Sequence, residues 1–230
     1  MAQVGRSTIA SLWSVLNPFV PAGQYAYKGS TGLLILSKKP LKNTKVIDFS
    51  EISFLNRRAA LVADVEYEGK DHKVVCTHLT ANLDGTAPYA GRFDSWSQEN
   101  IAQVEKLIKE TESEKPTYLM GDFNCGFKDE ANGLEDEFEE SCQKFLTAGY
   151  SDPVSSMSPE CSYCNSNNLV NEGNDPKEYD NLLIDHIFVK NAQATSTSVV
   201  LKEKVQVKVG RDEYVTSHIS DHFGVSATVE

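Results

Sequence analysis

No apolar run in the sequence is long enough to cross a bilayer as a helix. Positive charge is in short supply. The 22 Lys and Arg stand against 33 Asp and Glu, a formal charge of −11, so a broad basic footprint for gripping nucleic acid is absent. A local basic groove remains compatible with that balance, and an acidic metal site would contribute to it. Cysteines are few and odd in number. Cys76, Cys125, Cys142, Cys161 and Cys164 cannot all pair within one chain. Cys161 and Cys164 form a lone C-x-x-C with no second pair and no histidine at ligand spacing, which argues against zinc and leaves a local disulfide or two thiols open. Cys76 lies in an apolar strand and reads as a small buried hydrophobe. There is no internal repeat and no linker that divides the chain. No glycine-rich loop runs into Lys-Ser/Thr and a helix, and no Ser or Cys has a nucleophile-elbow setting. The segment from Met1 to Asn17 lacks the continuous apolar run and cleavage site of a signal peptide. Compartment is left open.

What is present fits one domain over residues 1–230, with 1–28 as an atypical N-terminal segment. A chain of 230 residues and 25.4 kDa can bury a sizeable core. The pattern around Tyr118-Leu-Met-Gly-Asp-Phe-Asn124 organises the rest. Tyr118 to Met120 reads as a buried strand that stops at Gly121, and Asp122 and Asn124 follow two apart. On an extended backbone such residues project together. A Gly-Asp turn capped by Asn is the plainer alternative.

In chain order, residues 7–16 suggest a short amphipathic helix. Leu33 to Leu36 suggests a buried strand ended by Lys39-Pro40. Ala59 to Tyr67 and Lys73 to Thr77 read as a hairpin around Glu68 to Asp71, ending at His78. Residues 80–95 form a polar loop carrying Arg92. Ser97 to Thr111 has helical spacing. A helical stripe covers 129–147, and 151–178 forms a long Ser/Asn-rich loop. Leu182 to Val189 is a strand with Asp185 and His186 in its middle. Val199 to Val209 suggests a strand or hairpin, and Gly224 to Val229 a last strand. Irregular alternation with several hairpins favours a mixed α/β sandwich over a doubly wound parallel sheet.

Polar groups cluster at strand ends: His78, Asp122 with Asn124, Asp185, and Asp221 with His222. Charged groups in a sheet core are costly unless paired or metal-bound. Together they suit hydrolysis of a phosphate ester. Carboxylates suit Mg²⁺, a histidine can take a proton from water, and Asn and a second His can stabilise developing charge.

Thr77-His-Leu79, Gly121-Asp-Phe-Asn124, Ile184-Asp-His-Ile-Phe188 and Ser220-Asp-His-Phe-Gly224 resemble, in order, motifs of the endonuclease/exonuclease/phosphatase superfamily. The resemblance begins near Gly29. It implies a four-layer α/β (α+β) sandwich of two mixed sheets flanked by helices, and Mg²⁺-dependent hydrolysis, with Mn²⁺ or Ca²⁺ as alternatives. By position it implies His222 as general base, oriented by Asp185. Asp122 and Asn124 would position water and phosphate, Asp221 would lie at the metal, and His78 would stabilise phosphoryl oxygens. Arg92 is a further candidate for the phosphate, and one arginine of Asn56-Arg-Arg58 is expected near the site. His186 has no assigned role.

His78-Leu-Thr-Ala81 and the Asn-rich stretch from Cys161 to Leu169 are similar to segments of sphingomyelinases. A phospholipid-headgroup phosphodiester is therefore the favoured substrate. A DNase-like nuclease and an inositol-phosphate phosphatase are the alternatives, and a monomer is expected. The family's first strands, with a metal-binding Glu, find no match before Gly29. Gln98-Glu99 opens a helix and does not replace them. A truncated or degenerate binding module without catalysis is the alternative of another class.

Overall fold

The computed structural model describes residues 32–172 and 174–230. The helix expected over 7–16 lies outside these residues.

A five-stranded sheet forms the frame, in the order β1 (Leu41–Asp48), β2 (Ala59–Tyr67), β3 (Lys70–His78), β4 (Thr117–Asp122) and β5 (Asp185–Lys190). All neighbours are antiparallel except β3 and β4. A parallel pair needs a crossover, and helix α1 (Trp96–Thr111) supplies it. The hairpin of β2 and β3 closes on Glu68 and Gly69, whose φ angles of 50° and 76° match the right-handed twist of the strands. Helix α1 starts where Ser95 Oγ accepts a hydrogen bond from the Gln98 amide at 3.2 Å.

Alternation along the strands sorts the side chains into two cores. Val75, Leu119 and Phe188 face one side of the sheet and pack with Val104 and Leu107 of α1 and Cys142 and Phe145 of α2 (Glu139–Thr147). Tyr118, Ile187 and Val189 face the other side, where Val225, Ala227 and Val229 cover them. Those last residues belong to β9 (Gly224–Val229), which pairs with β6 (Ala194–Val200) as a second, smaller sheet. The short helix α3 (Pro153–Met157) packs against both sheets. Strands β7 (Val205–Lys208) and β8 (Tyr214–Ser217) form a separate hairpin. The fold is therefore the mixed α+β sandwich expected from the sequence.

Several expectations are corrected. Leu33 to Leu36 is not a strand, and Leu34 and Leu36 are 68% and 84% exposed. The edge strand instead begins just past Pro40. Its polar composition and a bulge between Lys42 and Lys45 disguise it in the sequence. The helical stripe over 129–147 is α-helical only from Glu139, with a single 3-10 turn at Glu130–Asn132 before it. Asp129 accepts from the amides of Ala131 and Asn132, and Gly133 turns the chain at φ 67°. Asp185 opens β5 rather than lying in its middle, because Leu182 is drawn aside to bridge Tyr163 and Glu135. The Val199–Val209 segment divides between β6 and β7.

Candidate active site

β4 does not stop at Gly121. It runs through to Asp122, paired to Thr77 and His78 of β3. Gly121 has φ 140°, and a Cβ there would lie 2.0 Å from the Thr77 carbonyl oxygen. Only glycine allows so close a pairing of the two strand ends. Past Asp122 the chain turns. The Asn124 amide donates to Asp122 Oδ1 at 2.9 Å, and Asn124 takes φ 50°. Asp122 and Asn124 therefore do not project together from an extended strand; the turn lies after Asp122 rather than at Gly121-Asp122, and Asp122 is the residue that caps it. Asn124 is buried, and its Nδ2 donates to the Leu79 carbonyl at 3.0 Å, which fastens the segment after Asp122 to the segment after His78.

α1 reinforces that junction. Asn100, fully buried, donates from Nδ2 to the carbonyls of Thr80 at 2.7 Å and Phe123 at 3.0 Å. Gln103 Oε1 accepts from the Thr80 amide, and Glu99 accepts from Thr80 Oγ1, Tyr89 and the Phe54 amide. Glu99, in the first turn of α1, is thus buried and held by three donors. Trp96 packs in this region, 1% exposed, with Nε1 donating to the Ala87 carbonyl.

Two imidazole–carboxylate contacts meet at the strand ends. His78 Nε2 lies 3.2 Å from Asp122 Oδ2. His222 Nδ1 lies 2.7 Å from Asp185 Oδ2. Asp122 and Asp185 are cross-strand partners in β4 and β5, so the four side chains form one row. Burial pushes His78 down to about 3, helped by the positive charges of Arg58 and His222. Burial pushes Asp122 up to about 7, helped by the Asp185 charge. The His78–Asp122 contact has ion-pair distance, yet both groups shift toward neutrality. His78 is therefore a neutral imidazole in contact with Asp122, since the charges of Arg58 and His222 bear on it. For His222 burial opposes the charge, but the hydrogen bond and charge of Asp185, with Asp122 and Asp221 behind them, outweigh it and raise it to about 9.

Arg58, at the foot of β2, is the arginine that acts on the site, through its charge on His78 and Asp122. Arg57 pairs with Asp48 at 3.3 Å. Arg92 is not drawn into the row. Its Nη1 donates to the Glu51 carbonyl at 2.9 Å and its guanidinium lies over Phe93. Asp221 is exposed, and its charge acts on both His78 and His222.

Part of this support was not foreseen. Ser162 Oγ accepts from the Ile184 and Asp185 amides, and Asn167 Nδ2 donates to the Ser220 and Asp221 carbonyls. Both come from the long polar loop, where a count of Ser and Asn gives no hint of which are buried. Cys161 and Cys164 form a disulfide, and so do Cys125 and Cys142; Cys76 is free and half-buried. His186, next to Asp185, points into the core with Nδ1 2.9 Å from Asp152 Oδ2.

The carboxylates at the row are of the kind a hard divalent cation takes, although their oxygens do not converge as a group of three. Asp122 and Asp185 face each other as like charges, Asp221 acts on the same imidazoles, and all three offer oxygen ligands. Mg²⁺ uses one or two carboxylates together with phosphate and water, so a closed cage is unnecessary. Among the described residues the group of three whose ligand atoms converge within 4.8 Å is Cys125, Cys142 and His186, and its cysteines are already bonded to each other.

A family profile described as endonuclease/exonuclease/phosphatase family matches residues 4–222, starting ahead of Gly29 where the motifs begin. No curated protein matches in a sequence search. Solved structures share the fold. SmcL superposes with a TM-score of 0.59 at 18% identity over 82% of this chain and 65% of its own, so this chain spans just under two thirds of that relative. A mannosyl-6-phosphatase of Bacteroides thetaiotaomicron gives 0.57 at 15% identity, over 99% and 91%. D. rerio TDP2, complexed with a single-stranded DNA product, gives 0.54 at 16%, over 100% and 93%.

Proposed function

Because the chain belongs to the endonuclease/exonuclease/phosphatase family, we propose that it hydrolyses phosphate esters at the row His78, Asp122, Asp185 and His222. The observation that carries this reading is the 2.7 Å contact of Asp185 with His222 Nδ1 beside the His78–Asp122 contact. Asp185 fixes the His222 tautomer, leaving Nε2 to take a proton from water. That water attacks phosphorus as the ester P–O bond breaks. His78, held neutral, donates a hydrogen bond to a phosphoryl oxygen without competing for the water proton. Arg58 supplies positive charge from the other side. Asp122 and Asn124 set the turn that faces the phosphate.

Mg²⁺, held at Asp221 together with Asp122, would supply charge neutralisation for the phosphate and offset the carboxylate field that keeps His222 protonated. The finer reading is a sphingomyelinase-like phosphodiesterase. Its support is the His78-Leu-Thr-Ala81 segment, the Asn-rich loop seated against the site, and the net charge of −11, which disfavours a nucleic-acid substrate. Monomeric action is part of the same reading.

Hydrolysis of a chromogenic phosphodiester and of sphingomyelin, with Mg²⁺ and with chelator, tests it. Turnover that needs the cation and disappears in His222→Ala is expected, and the ratio of the two substrates assigns the branch. A folded protein with no turnover on either, nor on DNA or inositol phosphates, would leave the binding module in its place.

A further inference from the structure

Asp185 and His222 are not adjacent in the sheet. Asp185 opens β5 of the large sheet, while His222 precedes β9 of the small one. Their 2.7 Å contact therefore depends on whatever joins the two sheet ends. The joining segment is the loop from Cys161 to Asn167.

Three sets of bonds tie this loop to both sides. Toward β5, Ser162 Oγ accepts from the Ile184 amide at 3.2 Å and the Asp185 amide at 3.1 Å. The backbone of Tyr163 exchanges two hydrogen bonds with Leu182. Toward β9, the Phe223 amide donates to the Ser162 carbonyl at 2.7 Å. Asn167 Nδ2 donates to the Ser220 carbonyl at 2.9 Å and the Asp221 carbonyl at 3.1 Å. Ser162 and Asn167 are each 0% exposed. The loop itself is closed by the Cys161–Cys164 disulfide and by the Asn167 amide on the Cys164 carbonyl. The Tyr163 ring rests 5.2 Å from the His222 ring, centre to centre. Ser162 thus fixes the backbone of Asp185 by its hydroxyl and the backbone after His222 by its carbonyl.

We propose that Ser162 and Asn167 are positioning residues that set the Asp185–His222 pair from opposite ends of one disulfide-closed loop. The inference rests on the hydrolase reading for its kinetic consequence, though the bond it concerns is measurable without turnover. Neither residue reaches the reacting atoms. Both act on the backbone that carries the pair, so their loss misplaces the base while leaving the substrate's own contacts in place. A misplacement of about 1 Å can cost on the order of 100-fold in rate.

The test uses the full chain and the variants Ser162→Ala, Ser162→Thr and Asn167→Ala. Two readouts are taken. The first is the downfield proton resonance of His222 Nδ1–H bonded to Asp185. The second is kcat and KM on a chromogenic phosphodiester. Ser162→Ala and Asn167→Ala are expected to shift or broaden the His222 resonance while the amide spectrum stays dispersed. They should also lower kcat by about ten-fold or more with KM within about two-fold. Ser162→Thr, which keeps the hydroxyl, should restore both. An unchanged resonance and kcat in the two alanine variants overturns the inference. So does a loss of kcat that simply follows the fraction unfolded. If the wild-type protein shows the His222 resonance but no turnover, the hydrolase reading has failed, and the resonance alone decides the positioning.

Discussion

Asp122 and Asp185 stand directly opposite each other where β4 ends and β5 begins. Like charges facing across a strand pair are destabilising, and burial adds to the penalty at Asp122. Asp122→Asn should therefore stabilise the cation-free protein, by about 0.5–1 kcal/mol, while reducing hydrolysis. Denaturant melts in chelator and initial rates in Mg²⁺ check the two signs.

The three shifted groups of the row give opposing pH effects. Asp122, raised from 3.8 to about 7, binds its proton more readily when folded, so its contribution to stability falls as pH rises from 3.8 to 7. His78, lowered from 6.5 to about 3, binds its proton less readily when folded, so stability rises over 3 to 6.5. These two largely offset each other. His222, raised from 6.5 to about 9, contributes stability that is full below 6.5 and is lost as pH climbs through 9. The cation-free protein should lose thermal stability between pH 6.5 and 9, and His222→Ala should flatten that slope. Melting curves across this window in chelator check it.

Removing the base should cost more than misorienting it. His222→Ala is expected to lower kcat by about 100- to 10,000-fold, the range of general-base catalysis. Asp185→Asn keeps the shape of the contact but not the charge that stabilises His222 as it gains a proton, and should fall within or below that range. Steady-state kinetics at saturating substrate separates these losses from weaker binding.

The Asp152–His186 pair is a stability element. His186 is wholly enclosed and Asp152 is 7% exposed. Burial opposes charge on both, and their mutual attraction overrides it, holding Asp152 low and His186 high. Asp152→Ala leaves a buried histidine without its counter-charge and should cost about 3–5 kcal/mol. Urea unfolding checks it.

Gly121→Ala should be among the most damaging single changes. The new Cβ would meet the Thr77 carbonyl, and a φ of 140° is strained for alanine. We expect a loss of at least about 3 kcal/mol, or unfolding, seen by circular dichroism and melting.

The sequence by itself determined the elements whose signals are local. Ala59 to Tyr67 alternates and meets a Glu-Gly turn, so its hairpin was legible, as were α1 from its spacing and Gly224 to Val229 from its apolar alternation. The polar residues of the row, His78, Asp122, Asp185 and His222, were legible because charged groups at the ends of apolar strands need a reason. Tertiary structure decided the rest. It separated Asp122 from Asn124 by a turn and left Arg92 outside the row while bringing in Arg58. It turned His186 into the core although its neighbour Asp185 faces the site, since successive residues of a strand point to opposite faces. It also chose Ser162, Asn167 and Asn100 from among many similar residues. Their value lies in which backbone groups they meet across the fold, and no local pattern records that. Edge strand β1 escaped notice for the same reason: it is held by pairing with β2, not by an apolar face of its own.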